Sequence, residues 1–203
     1  MIRILLIRHA TNDLLGRVLY GRTPGVHLNQ EGLRQAQSLA QALGRRYLLT
    51  EVISSPLDRA IETARPIAEM QKLHLTIDDE ITEIDVGSWI GESFTDLNES
   101  LEWRDFNRHR STSWPPGGES MMEVQARGWR CLKRVQVKYR DQDATVAIVT
   151  HGDIVRCLLM LLLGMPIDFI HRLEVSPASL SEIQITEHFL TICSINQTFY
   201  DRA

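Results

Sequence analysis

The sequence predicts an α/β protein, a three-layer α/β/α sandwich around a mainly parallel central sheet. Three observations carry that expectation. Strand-like runs stand at 2–7, 51–54 and 145–150, the first and third of them apolar enough to read as buried strands. Helical patterns separate them, as the crossovers between parallel strands require. The first and third runs also end alike, in Arg8-His9-Ala10 and Thr150-His151-Gly152. A histidine followed by a small residue at such a junction stands at the carboxyl edge of a strand, where open α/β sheets bind ligands.

Segment 30–43 sets Leu33, Ala36, Ala40 and Leu43 at helical spacing behind Asn29, a suitable N-cap. After 51–54, Ser55-Pro56 reads as an N-cap with proline at the first helical position. Ala60, Ile61, Ala64 and Ile67 mark the apolar face of that helix, and Pro66 is expected to break or kink it. Between Glu83 and Glu119 the periodicity degrades. Trp89, Trp103 and Trp114 are interspersed with charge, and Pro115-Pro116-Gly117-Gly118 closes the stretch. It reads as a cap-like helical insertion at about 84–118, lying over the carboxyl edge of the sheet within a single domain of 1–203, its tryptophans used for packing. A helix resumes over 123–139, and Ser120-Met121-Met122-Glu123 fits a capping box. Glu119-Ser120 suits a cap and a substrate contact equally. Segment 154–163 is apolar nearly all round and should be buried. Two short strands, 181–185 and 190–195, end the pattern with Glu187-His188 in their turn.

The chain of 203 residues is long enough for one domain with a sizeable core. Its 22 Lys and Arg against 26 Asp and Glu leave a net charge of −4, and no basic tract is present. Nucleic acid is thereby excluded as a partner, and an anionic ligand has to be drawn by local basic side chains. Cys131, Cys157 and Cys193 are scattered without a Cys-x-x-Cys pair, which points to a reducing compartment and away from a zinc knuckle. The apolar start is too short for a signal-peptide core, and no run approaches the ~20 residues of a membrane span. The expected location is the cytoplasm, with no membrane partner.

The strand ends supply a recognisable set of groups. Arg8 and His9 follow the first strand, Arg59 lies on the first turn of the helix behind Ser55-Pro56, and His151 follows the third strand. Guanidinium forks match phosphate oxygens, and helix N-termini favour anions. Two arginines and two histidines around one point make a pocket for a phosphoryl group, toward which a neutral imidazole is a good nucleophile. The alcohol that leaves needs a proton, and Glu83, opening the insertion, is the leading donor, with Asp85 and Glu92 as alternatives. His9, His151 and Glu83 also resemble a two-histidine, one-carboxylate metal set, but the flanking arginines repel a cation. His27, His74, His109, His171 and His188 lack such a context and read as solvated or core residues.

The motifs resemble those of the histidine phosphatase superfamily, the phosphoglycerate mutase-like proteins. Ile7-Arg8-His9-Ala10 is similar to the Arg-His-Gly signature, and 54–64 (SSPLDRAIETA) to the motif that carries a phosphate-binding arginine. Residues 83–91 (EIDVGSWIG) resemble the acid-donor segment, Pro116-Gly117-Gly118-Glu119-Ser120 a recurrent turn, and Val149-Thr150-His151-Gly152 the second histidine motif. The resemblance implies a phosphoglycerate mutase-like fold. It makes His9 the nucleophile, Glu83 the general acid, and Arg8, Arg59 and His151 the groups that hold the phosphoryl oxygens, with Asn12, Gly21 and Gly152 also in the substrate-binding set. No metal or organic cofactor is implied, the partner is a small phosphorylated metabolite, and the chain is a monomer or homodimer.

Several positions depart from the family pattern. Ala10 stands for the usual glycine, Asn12 for Ser or Thr, and Leu15 for an asparagine typical of mutases. Val86 and Phe94 occupy the places where cofactor-dependent mutases have tyrosine and lysine for the substrate carboxylate. These departures favour a metal-independent phosphomonoester hydrolase, with a phosphoglycerate mutase-type phosphotransferase using the same phosphohistidine as the alternative. A phosphate-binding scaffold without activity is the third reading, and the retention of every catalytic group speaks against it.

Overall fold

The computed structural model describes residues 1–200. Strands β1 (Ile2–Arg8), β2 (Glu51–Ser54), β3 (Leu75–Ile77) and β4 (Ala144–Thr150) pair in parallel in the order β3-β2-β4-β1. β5 (Leu180–Ile185) joins β1 antiparallel, and β6 (Leu190–Gln197) joins β5 antiparallel, completing six strands. The short strand β3 was not foreseen, because Leu75-Thr76-Ile77 is too brief to show a period.

Alternate residues of the central strands feed two separate cores, as period-2 geometry requires. Leu5, Ile7, Val52, Ala147 and Val149 pack against α1 (Gln30–Arg46) and α2 (Asp58–Gln71) through Leu39, Leu43, Ala60, Ala64 and Ile67. Ile4, Leu6, Ile53, Val146 and Ile148 pack on the other face against α5 (Met121–Lys138) and α6 (Gly152–Leu163) through Val124, Leu132, Leu158 and Leu159. The expected α/β/α layers are thus present.

Asn29 caps α1, accepting from the Gly32 N–H at 2.8 Å, and Ser120 and Glu123 form the capping box of α5. Some expectations need correction. Leu33 is exposed, because it lies at the edge of a stripe centred on Ala36, Leu39, Ala40 and Leu43. Ser55 is not the N-cap of α2, which begins at Asp58 after Leu57, since the Ser55 hydroxyl is engaged elsewhere. Pro66 does not break α2: Thr63 and Ala64 before it and Ile67 and Ala68 after it are buried and hold the helix across the missing hydrogen bond. The end of α6 is less buried than its composition suggests, with Leu161 and Leu163 exposed on the last turn.

Between β3 and α5 lie α3 (Phe94–Glu99) and α4 (Leu101–Arg108), capped by Ser93 and Ser100. Trp89, Trp103 and Phe106 pack edge to face or tilted with ring centroids 5.3–6.1 Å apart, so two of the three tryptophans are structural. Trp114 is instead exposed beside Pro115-Pro116 and packs no core. Among the described residues no helix is long and apolar enough to cross a membrane.

Candidate active site

Strand register builds the site. β1 and β4 are parallel neighbours with Arg8 opposite Thr150, so the chain delivers His9 and His151 side by side. The His9 N–H bonds the Thr150 carbonyl at 2.8 Å, and the two imidazole centroids lie 5.2 Å apart. On the other side of β4, Ser54 pairs with Val149, and the Ser55 N–H bonds the Val149 carbonyl at 3.0 Å. The Ser55 hydroxyl is therefore 2.7 Å from His151 Nε2, a contact with no sequence signal of its own.

His9 is buried, and its Nδ1 lies 2.7 Å from the Ala10 carbonyl. A carbonyl only accepts, so Nδ1 carries the proton and Nε2 keeps its lone pair. Burial, and then the charges of Arg8 and Arg59, hold the His9 pKa well below the usual imidazole value. Burial, and then His9 and the arginines, do the same for His151. Both rings are thus neutral, His9 in the nucleophilic tautomer.

Arg59 is fully buried beneath this pair, its guanidinium carbon 4.7 Å from the Tyr20 ring centroid and its Nη2 donating to the Gly21 carbonyl at 2.7 Å. Gly21 has φ +41°, and a Cβ there would fall 2.8 Å from the Val86 side chain. Gly152 opens α6 with room for no side chain that would not press on Arg8, whose Nε is 3.3 Å from the place of a Cβ. Arg8 Nη1 donates to the Val175 carbonyl at 2.6 Å. Asn12 is buried next to this group, with Nδ2 donating to the Tyr20 hydroxyl and Oδ1 accepting from the Leu14 N–H.

Four buried polar atoms here have no partner: Arg8 Nε, Arg59 Nε and Nη1, and His151 Nδ1. Three of them are guanidinium donors; leaving a buried donor unpaired costs about 1–3 kcal/mol, more when it is charged, so together they call for an anion. Beside them, Arg8, His9, Tyr20, Gly21, Glu83 and Gly152 line a half-open cavity of about 140 Å³.

Glu83 overhangs that cavity, with Oε2 3.8 Å from His151 Nδ1 and Oε1 accepting from the Ile84 N–H. Burial, and then the negative charge of Asp153, raise its pKa to about 7 against the pull of Arg59 and Arg8. A carboxyl poised there can give and take a proton near neutrality. Asp85 is half-exposed and lies outside the cavity wall, its Oδ1 taking the Gly87 N–H, and Glu92 is exposed. Among the described residues no group of three His, Cys, Asp or Glu side chains is placed to hold a metal ion.

A second layer fixes Glu83. Arg22 Nε donates to the Glu83 carbonyl at 2.7 Å, and Arg127 Nη2 does so at 3.2 Å. Glu119 joins the two arginines, accepting from Arg22 Nη2 at 2.9 Å and from Arg127 Nε and Nη2 at 2.8 and 3.0 Å. The Pro-Pro-Gly-Gly-Glu turn thus places Glu119 behind Glu83, and its neighbour Ser120 caps α5. Arg22, Arg127, Tyr20 and Asp153 were not singled out from sequence, and Ser55 was read only as a helix cap. Only the spacing of Asp153 from His151 could have suggested one of them.

Comparison with known proteins agrees with this geometry. The model of the histidine phosphatase superfamily (branch 1) matches residues 4–198. A bifunctional protein of Mycobacterium tuberculosis is 35% identical over 98% of this chain, which spans 54% of that relative's length. Phosphoserine phosphatase 1 of Hydrogenobacter thermophilus is 32% identical, covering 98% of this chain and 93% of that one. The solved structure of a mycobacterial glucosyl-3-phosphoglycerate phosphatase superposes with a TM-score of 0.80 at 26% identity over 89% of each chain. With strand-end histidines, buried arginines and an overhanging carboxyl in one cavity, the chain belongs to the histidine phosphatase superfamily, branch 1.

Proposed function

We propose that the protein is a metal-independent phosphomonoesterase that hydrolyses a small phosphorylated metabolite through a phosphohistidine on His9. The observation that carries this reading is the set of unpaired buried guanidinium donors on Arg8 and Arg59, with the unpaired Nδ1 of His151, beside a neutral imidazole whose lone pair is on Nε2. His9 Nε2 attacks phosphorus in line, and the phosphorus–oxygen bond to the alcohol breaks as Glu83 delivers its proton to the leaving oxygen. Arg8, Arg59 and His151 hold the equatorial oxygens, and Gly21, Gly152 and Asn12 shape their seat. The Nδ1–H bond to Ala10 stabilises the imidazolium so formed. The ionised Glu83 then takes a proton from water as its oxygen attacks phosphorus. The nitrogen–phosphorus bond breaks, orthophosphate leaves, and both residues return to their starting states.

Hydrolysis is favoured over phosphoryl transfer between substrate hydroxyls by the cavity wall, where Val86 and Phe94 offer no charge to retain and reorient a carboxylated intermediate. Residues 1–203 act as one unit, with the insertion at about 84–118 closing over the site. The cytoplasm is the compartment we assign, on the strength of three free cysteines.

The test is hydrolysis of p-nitrophenyl phosphate in excess EDTA, followed by alkaline quenching with labelled substrate. Undiminished turnover and a protein-bound label stable to base and labile to acid are expected, with both lost in His9→Ala. Activity abolished by EDTA and restored by zinc, or a label with the opposite stability, would overturn the reading. Conversion of 3-phosphoglycerate to its 2-isomer with 2,3-bisphosphoglycerate as primer, without net phosphate release, would make the protein a mutase.

A further inference from the structure

The phosphoryl end of the cavity is polar, but the wall that faces the leaving group is not. Leu15, Val18, Leu19, Ile84, Val86 and Phe94 form it. Glu83 has to reach the leaving oxygen, so the alcohol lies beside that carboxyl, where the neighbours from its own segment are Ile84 and Val86. Phe94 closes the opposite side, held by tilted packing on Trp103 with centroids 6.0 Å apart. Val18 and Ser93 form a β-bridge, and the Phe94 N–H bonds the Arg17 carbonyl at 3.0 Å, which ties the two stretches together.

The charged groups of this cavity have other commitments. Arg8 belongs to the phosphoryl seat. Arg156 donates from Nε to the Leu173 carbonyl at 2.9 Å and from Nη1 to Asp153 at 3.3 Å. Asp153 is shared further with Arg110, 3.6 Å away. Arg17 at the rim is exposed and is not part of the wall. A carboxylate on the alcohol would thus meet two carboxyl groups, Glu83 and Asp153, and one cation already paired.

We propose that the alcohol released is uncharged and lays an apolar or aromatic face on Leu15, Leu19, Val86 and Phe94, rather than being a hydroxy acid such as serine or glycerate. The cavity of about 140 Å³ is shared between the phosphoryl seat and this wall, so it encloses only the part of the alcohol next to the phosphoryl group, and the rest emerges through the open side. The inference rests on the phosphatase reading and narrows it, and it separates this chain from its relative named for phosphoserine.

The test compares kcat/KM for benzyl phosphate, glycerol 1-phosphate, phosphoserine and 3-phosphoglycerate, with p-nitrophenyl phosphate as the reference for catalysis itself. Benzyl phosphate should exceed the other three on the order of 10–100-fold, the scale on which an apolar pocket discriminates. Phe94→Ala should narrow the benzyl-to-glycerol ratio on the order of tenfold. If that variant fails to fold, Leu15→Ala reads the same ratio. Phosphoserine or 3-phosphoglycerate turned over as well as benzyl phosphate, or an unchanged ratio in a folded variant, overturns the inference while leaving the phosphatase reading standing. No turnover of p-nitrophenyl phosphate removes both.

Discussion

Arg127 and Glu83 are joined through the backbone: the Arg127 guanidinium donates to the Glu83 carbonyl at 3.2 Å while its fork grips Glu119 at 2.8 and 3.0 Å. The carboxyl that overhangs His151 is thus positioned through its main chain, with Oε1 held by the Ile84 N–H and Oε2 left for the cavity. Arg127 is buried and its ion pair with Glu119 largely so, and breaking one partner of such a pair costs about 3–5 kcal/mol.

Glu119→Gln should therefore lower the melting temperature and loosen Glu83 together. Loss of the tether should reduce kcat on an alkyl phosphate roughly tenfold more than on p-nitrophenyl phosphate, whose leaving group barely needs a proton. Equal losses on the two substrates in a folded variant would assign Glu119 to stability alone. Glu119→Asp, tested in parallel, should recover part of the alkyl phosphate rate.

Glu83 sets the alkaline limb. With a pKa of about 7 it is protonated below neutrality, so kcat/KM on an alkyl phosphate should fall as pH rises through 7, and Glu83→Gln should flatten that limb. The same shift has a stability consequence. A carboxyl whose folded pKa is raised above 4.5 binds its proton more tightly in the native state, so stability falls as pH rises from about 4.5 to 7. Relative to Glu83→Gln, the wild type should lose up to about 3 kcal/mol across that window in phosphate-free buffer. A constant difference in melting temperature between pH 5 and 8 would contradict the raised pKa.

The two histidines act in the opposite sense. Their pKa values are depressed by burial first and by neighbouring cations, so the stability they contribute is complete above the unfolded value of 6.5 and is lost as pH falls below it. Melting temperatures of the wild type should drop below pH 6.5 more steeply than those of a His9→Gln, His151→Gln double variant. Parallel curves would show that neither ring is held neutral.

Ser55 orients His151. Its hydroxyl is buried and 2.7 Å from Nε2, so Ser55→Ala leaves that nitrogen unpaired and the ring free to tilt. The expected loss in kcat is on the order of 10–100-fold, with Ser55→Thr retaining more. Nuclear magnetic resonance of the His151 ring nitrogens should register the change, and a variant with unaltered resonances and rate would exclude the orienting role.

The unpaired donors should also report an anion directly. Orthovanadate at a hundred times its dissociation constant should stabilise the protein by about 2.7 kcal/mol, and EDTA should not reverse it. Arg59→Met should abolish the shift, because it removes two of the four unpaired atoms. A shift that persists in Arg59→Met would place the anion elsewhere.

Much of this protein is determined by short-range chemistry and is therefore legible in the sequence. Strands buried on both faces are mostly apolar, so β1 and β4 announce themselves and β2 follows from its place between helical patterns, and the residues after them have to lie at one edge because parallel strands share a direction. His9 and His151 are placed by that edge, Arg59 by the first turn of the helix that follows β2, and the capping box at Ser120 follows from a spacing of three residues. What only the tertiary structure decided depends on contacts between distant segments. The Glu119 bridge joins Arg22 and Arg127 across turns with no shared period, the Ser55 hydroxyl turns to His151 instead of capping α2, and Asp153 raises the pKa of Glu83 through space. The apolar wall of Leu15, Val86 and Phe94 is assembled from three separate stretches. Local pattern records which face of an element is buried. It carries no record of which charged side chain from elsewhere will stand beside it, and in this site that pairing sets the pKa of Glu83.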